Sequence, residues 1–290
     1  MIDALQQLVE QLDNEQSLIE PNQLRRRLEA LDRLDAFFPD TSQPVVGVET
    51  GLYRRARAIC ARLEAVNCEL YEAIRCDIRR GCRPDTLLRW VNSSPEIEEE
   101  VGPPSGMGYD FLDELISGVF QFEEPNDRHI HREPDIVFYQ PTPARHIFRM
   151  IGLTALTATD VLVDLGSGLG HLPLLVSICT GGCSIGIELE ATYVERAQQC
   201  AQRLNLNRVV FVHQDARVAD LSDGTVFYLY TPFTGSILRR VLNILRGQAA
   251  TRRIRICTYG PCTSVMAEEP WLEATAAPET DRIAVFCSRE

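Results

Sequence analysis

The 290-residue chain has no lysine; all 29 of its basic residues are arginines. Codon usage in a GC-rich genome is the plain reading, with avoidance of self-modification by a lysine-modifying enzyme as the alternative. Positive charge is scarce as well, because 41 acidic residues leave a net charge of −12 at pH 7. Nucleic-acid binding through the backbone needs clustered cations that displace counterions, so no nucleic-acid partner is expected and a neutral or basic substrate fits better. Long apolar runs are missing too: nothing approaches the roughly 18 uninterrupted apolar residues of a membrane span. Met1 to Glu20 lacks the positive start and apolar run of a signal peptide, so a cytoplasmic protein is expected, with no membrane partner. Ten cysteines are present but no CxxC pair. No metal is therefore expected. Cys60, Cys68 and Cys76 at helical intervals, and Cys287 in an apolar run, predict buried free thiols of a reducing compartment.

What is present divides the chain in three: residues 1–91 as a helical region, 92–135 as a linker with a short helix, and 136–290 as an α/β domain. The first region has no strand signal. Helices are predicted over Met1 to Asp13, over Pro21 to Phe38 with Leu24, Leu28, Leu31 and Leu34 on one face, and over Thr50 to Arg80. In the last, Leu52, Ala56, Ile59, Leu63, Val66, Leu70, Ile74 and Ile78 form a stripe about 45 Å long at 1.5 Å per residue. Such a stripe has to be covered, by the neighbouring helices, by a second copy in a homodimer, or as a lid over substrate. Asn92 to Gly108 has linker composition, and Tyr109 to Phe120 is a short amphipathic helix. From Pro141 onward, strands at Val161–Leu165, Ser184–Leu189, Val209–His213, Val226–Tyr230 and Ile254–Tyr259 alternate with helices. That pattern predicts a doubly wound parallel sheet. Trp271–Ala276 and Arg282–Ser288 read as a terminal hairpin.

Three positions carry the chemistry. In Val161-Leu-Val-Asp-Leu-Gly-Ser-Gly-Leu-Gly170 a buried strand opens into a glycine turn and then a helix, so that Gly166, Gly168 and Gly170 let backbone approach a ligand. The dinucleotide fingerprint GxGxxG fails, since His171 stands where its third glycine would be. Asp164, two residues before the first glycine, would repel a pyrophosphate and attract a cation. One strand on, Glu188 of Ile185-Gly-Ile-Glu-Leu-Glu190 sits where an acid can bond both hydroxyls of a ribose, with Glu190 as its rival. Asp215 follows the third strand, where a helix N-cap is the competing role.

The pattern as a whole resembles motif I of class I S-adenosylmethionine-dependent methyltransferases. The resemblance implies a Rossmann-like, doubly wound seven-stranded α/β fold. It also implies S-adenosyl-L-methionine as cofactor, held by Asp164, Gly166, Ser167, Gly168, Gly170, Glu188, Leu189, Asp215 and Ala216, with Tyr230 and Thr231 at the end of the fourth strand between cofactor and acceptor. The Tyr228-Leu-Tyr-Thr-Pro-Phe-Thr-Gly235 segment lacks the Asn/Asp-Pro-Pro-aromatic motif of nucleobase amino-methyltransferases. Phe138-Tyr-Gln-Pro-Thr-Pro143 before a helix and DLGSGxG is similar to non-SET protein-lysine methyltransferases. That similarity spans about Tyr139 to Phe233 and implies that Tyr139, Gln140 and Thr142 form a lip over the cofactor's methionine end.

In-line methyl transfer draws on positioning and desolvation and needs no dedicated base. Tyr109, Asp110 and Phe233 are the expected substrate contacts, Asp110 by attracting a basic group unless it serves as an N-cap. No catalytic base is named; His171, on the first turn after the glycine loop, could serve as one, against its preferred reading as a helix-start residue turned from the acceptor. The acceptor is a protein side chain, lysine foremost, or a small natural product; a non-catalytic cofactor-binding protein is the third reading.

Overall fold

The computed structural model describes residues 2–38, 49–81, 87–88, 91, 108–122 and 134–289. The predicted linker over Asn92 to Gly108 lies almost wholly outside them, as does Cys82. Two compact units result, the first built mainly from Met1–Cys76 and the second mainly from Gly102–Glu290.

The first unit is helical: α1 (Ile2–Asn14), α2 (Leu24–Asp35) and α3 (Glu49–Arg79), with short 3-10 turns at Gln16–Ile19 and Pro21–Gln23. Pro21 holds its neighbours in the tighter turn, so the α-helix starts at Leu24 rather than at Pro21. Leu5, Leu8, Val9, Leu12 and Leu18 close over Ala30, Leu34, Ala56, Ile59 and Leu63 in one apolar cluster. Much of the long stripe is therefore covered by α1 and α2. The buried face of α2 differs from the expected leucine row: Leu24, Arg27, Ala30 and Leu34 are buried, whereas Leu28 and Leu31 are only half so. Arg27 is fully buried. Its Nε donates to Asn67 Oδ1 at 2.6 Å and its Nη1 to the Leu18 and Glu20 carbonyls, so the guanidinium ties both 3-10 turns to α3. The expectation for the cysteines needs correcting. Cys60 is buried but Cys68 is exposed, because eight residues at 100° each turn the helix about 80° past a whole number of turns.

The second unit contains α4 (Phe111–Phe120), α5 (Ala144–Thr154), β1 (Val161–Leu165), α6 (His171–Thr180), β2 (Cys183–Glu188), α7 (Ala191–Arg203), β3 (Val209–His213), β4 (Val226–Leu229), α8 (Gly235–Ala249), β5 (Arg255–Thr258), α9 (Cys262–Ala267), β6 (Leu272–Ala274) and β7 (Ala284–Ser288). The sheet has seven strands in the order β3-β2-β1-β4-β5-β7-β6. β1 to β5 pair in parallel, while β7 runs antiparallel between β5 and β6. This is the Rossmann-like seven-stranded fold expected from the sequence, terminal hairpin included. The helix α9 was not among the expected elements, being a single short helix without a long apolar repeat.

Right-handed crossovers that run from β1 toward β2 on one side and from β4 toward β5 on the other put helices on opposite faces of the sheet. The order therefore reverses between β1 and β4, and a crevice opens beyond their carboxyl ends. Below it lies a core of Val163, Leu165, Phe227, Leu229, Ile256 and Phe286 under the α8 residues Ile237, Val241, Leu242 and Leu245.

Replacing the buried guanidinium should expose its role in the helical unit. Arg27→Met leaves Asn67 and the two turn carbonyls without their donor, and should lower stability by about 2–4 kcal/mol. Chemical denaturation followed by far-ultraviolet circular dichroism measures this; a loss under about 1 kcal/mol would contradict it.

Candidate functional site

A cavity of about 410 Å³ occupies the crevice at the strand-order reversal. Its floor is the turn after β1. Gly166 (φ +84°), Gly168 (φ +52°) and Gly170 (φ +81°) all lie in the left-handed region open to glycine. The Gly166 and Ser167 amides donate to the Ile187 carbonyl at 2.8 and 3.0 Å, which ties the turn to β2.

The three glycines serve different neighbours. A Cβ on Gly166 would fall 2.3 Å from Pro232, on Gly168 1.9 Å from the Tyr139 ring, and on Gly170 2.4 Å from Phe211. Gly166 and Ser167 line the cavity, whereas Gly168 and Gly170 do not. Gly170 lets α6 close on the sheet, and Gly168 makes room for the lip.

Asp164, the penultimate residue of β1, lies beside Gly186 and Tyr228 of the flanking strands, is 5% exposed, and faces the cavity. No hydrogen bond reaches its carboxylate from the described residues. Burial, and then the nearby Glu188, hold its carboxyl well above the ordinary range. Ser167 Oγ is likewise buried without a partner among the described residues. Glu188 closes β2, and its Oε2 accepts from the Gly168 amide at 2.8 Å while Oε1 accepts from Leu189 and Glu190 at 2.7 and 2.9 Å. Burial still raises it, against the pull of those amides. Glu190, its rival, lines the cavity and precedes α7 without capping it through its side chain.

Leu189, Asp215 and Ala216 line the same wall. Asp215 does not stand alone, however. Arg217 grips it through Nε and Nη2, the latter at 2.6 Å, and this pairing holds the carboxyl below its usual range. Arg217 was not foreseen, although an arginine two residues after an acid in a turn is a pairing readable from the sequence. Tyr193 was missed as well; from the first turn of α7 it lines the cavity and packs on Tyr139 at 5.0 Å.

Residues 136–142 form another wall, and the segment from Asp135 on is fastened at several points. Asp135 accepts from the Ser236 amide and hydroxyl at the start of α8, at 3.0 and 2.8 Å. Ile136 bridges Phe233, and the Val137 amide donates to the Pro232 carbonyl. Tyr139 Oη contacts His171 Nδ1 at 3.2 Å, and Thr142 Oγ1 pairs with Tyr228 Oη at 2.8 Å. Tyr139, Gln140 and Thr142 thus do border the cavity. Burial pulls His171 down to about 4, so the imidazole is neutral near pH 7.

At the end of β4, Tyr230, Thr231 and Phe233 line the acceptor side. Two expected substrate contacts are placed elsewhere. Asp110 forms a reciprocal capping box with Asp113 at the start of α4 and an ion pair with Arg145 at 3.2 Å, and it does not line the cavity. Tyr109 donates to the Pro141 carbonyl at 2.9 Å and also stands outside the lining. The residue before a helix is satisfied locally by the unpaired amides of the first turn, and that need took Asp110.

Fold and site together define the class: a Rossmann-like α/β protein with an acid-lined crevice at its switch point. No family model matches the chain, and neither does any curated protein. Solved structures similar to it include methyltransferases. An RNA methyltransferase from Salinibacter ruber, in complex with S-adenosyl-L-homocysteine, shares 25% identity over 51% of this chain and 92% of its own, with a TM-score of 0.42. A human methyltransferase 10 domain containing protein shares 16% identity over 60% and 91%, TM-score 0.41. The tRNA (uracil-54, C5)-methyltransferase of Pyrococcus abyssi, also with S-adenosyl-L-homocysteine, shares 13% over 51% and 39%, TM-score 0.37. Each match spans little more than half of this chain, so the chemistry is read from its own residues.

The raised Asp164 carboxyl sets a pH dependence. The folded protein keeps that proton above the pH at which the unfolded chain releases it, so this contribution to stability is full in acid and is lost as pH rises through the raised value. Without ligand, Asp164→Asn should therefore match the wild type near pH 4 and exceed it at pH 8 by about 1 kcal/mol or more. Thermal melts at the two pH values decide; equal stability at pH 8 would contradict the assignment.

Proposed function

We propose that the protein is an S-adenosylmethionine-dependent methyltransferase with residues 136–290 as its catalytic domain. The observation that carries this reading is Asp164, a carboxylate only 5% exposed, without a hydrogen-bond partner among the described residues, facing a cavity over a glycine turn. An ionised group so placed is costly until a cation or donor completes its site. Asp164, Glu188, Glu190 and Asp215 against Arg217 make the cavity lining negative on balance. That balance suits a ligand carrying an ammonium and a sulfonium, and it opposes a pyrophosphate.

On this reading Asp164 would hold the cationic amino-acid end, with Gly166 and Ser167 beside it. Glu188 would take the ribose hydroxyls, and Asp215 with Ala216 the adenine edge. Tyr139, Gln140 and Thr142 would close over the methionine portion. When bound, the cofactor supplies a methyl group on a sulfonium that already bears the leaving-group charge. The chain's task is then to orient and to exclude water.

The acceptor side supports an amine. Phe138, Tyr230, Thr231, Phe233 and Pro261 contribute aromatic, hydroxyl and proline surface there, and β4 and β5 place neither carboxylate nor imidazole in the lining. An acceptor in such surroundings has to be nucleophilic once neutral, which fits an amine, a protein lysine side chain foremost, better than a hydroxyl. The net charge of −12 weighs against a polyanionic acceptor.

Calorimetric titration tests the reading. The wild type should bind S-adenosylmethionine and melt at a higher temperature in its presence. Asp164→Ala and Glu188→Ala should each weaken binding at least about tenfold, in line with loss of a charge-assisted hydrogen bond. No binding by the wild type, or normal binding by both variants, would overturn it.

A further inference from the structure

The cavity has two halves of unlike chemistry. Every carboxylate in its lining stands on or just after β1, β2 or β3, whereas the β4 and β5 side offers hydroxyls and rings. On that second side Tyr230 is unusual. It lines the cavity, yet its hydroxyl is buried and has no hydrogen-bond partner among the described residues. Buried hydroxyls are rarely left so, because the water they lose has to be replaced. The phenol lacks one partner, which a ligand in the cavity would supply.

The hydroxyl is also unable to swing away in search of one. The Tyr230 ring packs on Tyr259 with centroids 4.6 Å apart and planes at 39°, and Tyr259 packs in turn on His146 at 4.4 Å and 35°. The next residue, Thr231, has φ +39°, in a region that β-branched residues seldom enter. It is held there by its own hydroxyl, which donates to the Tyr259 carbonyl at 3.2 Å and accepts from the Cys262 amide at 3.1 Å. A Cβ on Gly260 would lie 2.8 Å from that same hydroxyl, so the turn after β5 is shaped around it. Backbone strain of this kind survives only where the surroundings fix it, and it gathers at ligand sites.

Resting on the methyltransferase reading above, we propose that Tyr230 recognises the methyl acceptor, its phenol oxygen taking the N–H hydrogen bond of an amine at the point of transfer. Burial holds the phenol above its ordinary range, and the neighbouring Tyr259 and Tyr109 add to this. It therefore stays protonated and acts as a hydrogen-bonding group, not as a base. A nitrogen nucleophile bearing at least one N–H supplies the donor that this phenol oxygen would accept; a thioether or tertiary amine has none to give.

Two ligands separate this inference from the reading beneath it, without any need to know the natural acceptor. S-adenosylhomocysteine occupies the cofactor half alone. Sinefungin is an adenosyl amino acid in which a carbon bearing an ammonium group replaces the methylated sulfur, and so presents N–H donors where the methyl is transferred. The wild type should bind sinefungin about tenfold more tightly than S-adenosylhomocysteine. Tyr230→Phe should keep the S-adenosylhomocysteine affinity, lose most of the sinefungin preference and melt no lower than the wild type, because the deleted hydroxyl had no internal partner. A preference that survives the substitution, or a parallel loss for both ligands, overturns the inference and leaves the methyltransferase reading standing. A lower melting temperature marks the hydroxyl as structural and also overturns it. Failure of the wild type to bind either ligand removes the reading itself, and the inference with it.

Discussion

A largely buried carboxylate is the constraint around which the α/β unit is arranged. Asp164 stands at the carboxyl end of the central strand β1, where the strand order reverses, and the sheet provides no partner for it. Without a ligand the site holds that carboxyl protonated; once ionised it needs a cation or donor to complete the site, and the cavity leaves room for one. Glu188 on the adjacent strand is held by three backbone amides, so a second carboxylate stays fixed beside the first despite their repulsion. A rigid acidic pair over a glycine turn recognises positive charge and hydroxyls, and disfavours phosphates.

The same constraint accounts for the lip over residues 135–142. Were that segment loose, Asp164 would be more open to water and its desolvation would relax. Instead it is latched to the start of α8 through Asp135, to Pro232 and Phe233 by backbone contacts, and to His171 and Tyr228 by side chains. Gly168 belongs to this closure: the Tyr139 ring occupies the space that any Cβ there would need. The neutral His171 is then a hydrogen-bond partner for Tyr139 within an aromatic pocket with Phe120 and Phe122.

Much of this was legible in the sequence because it is periodic or local. Strands β1 to β5 announced themselves as short apolar runs between helices, and the glycine turn with Asp164 and Glu188 is set by spacing along adjacent strands. The terminal hairpin was legible from its turn residues. What escaped depends on tertiary neighbours. Nothing in the α2 leucine row shows that Arg27 replaces Leu28 in the core, since the Asn67 partner lies 40 residues away. Asp110 offered a charge to substrate on paper, and the first turn of α4 claimed it instead. That Gly168 and Gly170 serve Tyr139 and Phe211, while Gly166 meets the cavity, cannot be read from three equally spaced glycines. Tyr193 and Arg217 entered the site from a helix turn and a loop whose orientation only the packed sheet defines.

The central claim is that the acidic pair was built for a sulfonium nucleoside with a cationic tail. A crystal structure with S-adenosylhomocysteine bound tests it most directly. The account predicts the ligand's amino group against Asp164, its ribose hydroxyls on Glu188 and its adenine beside Ala216. Density for the ligand elsewhere, or the same crevice accepting a dinucleotide pyrophosphate over the glycine turn, would contradict it.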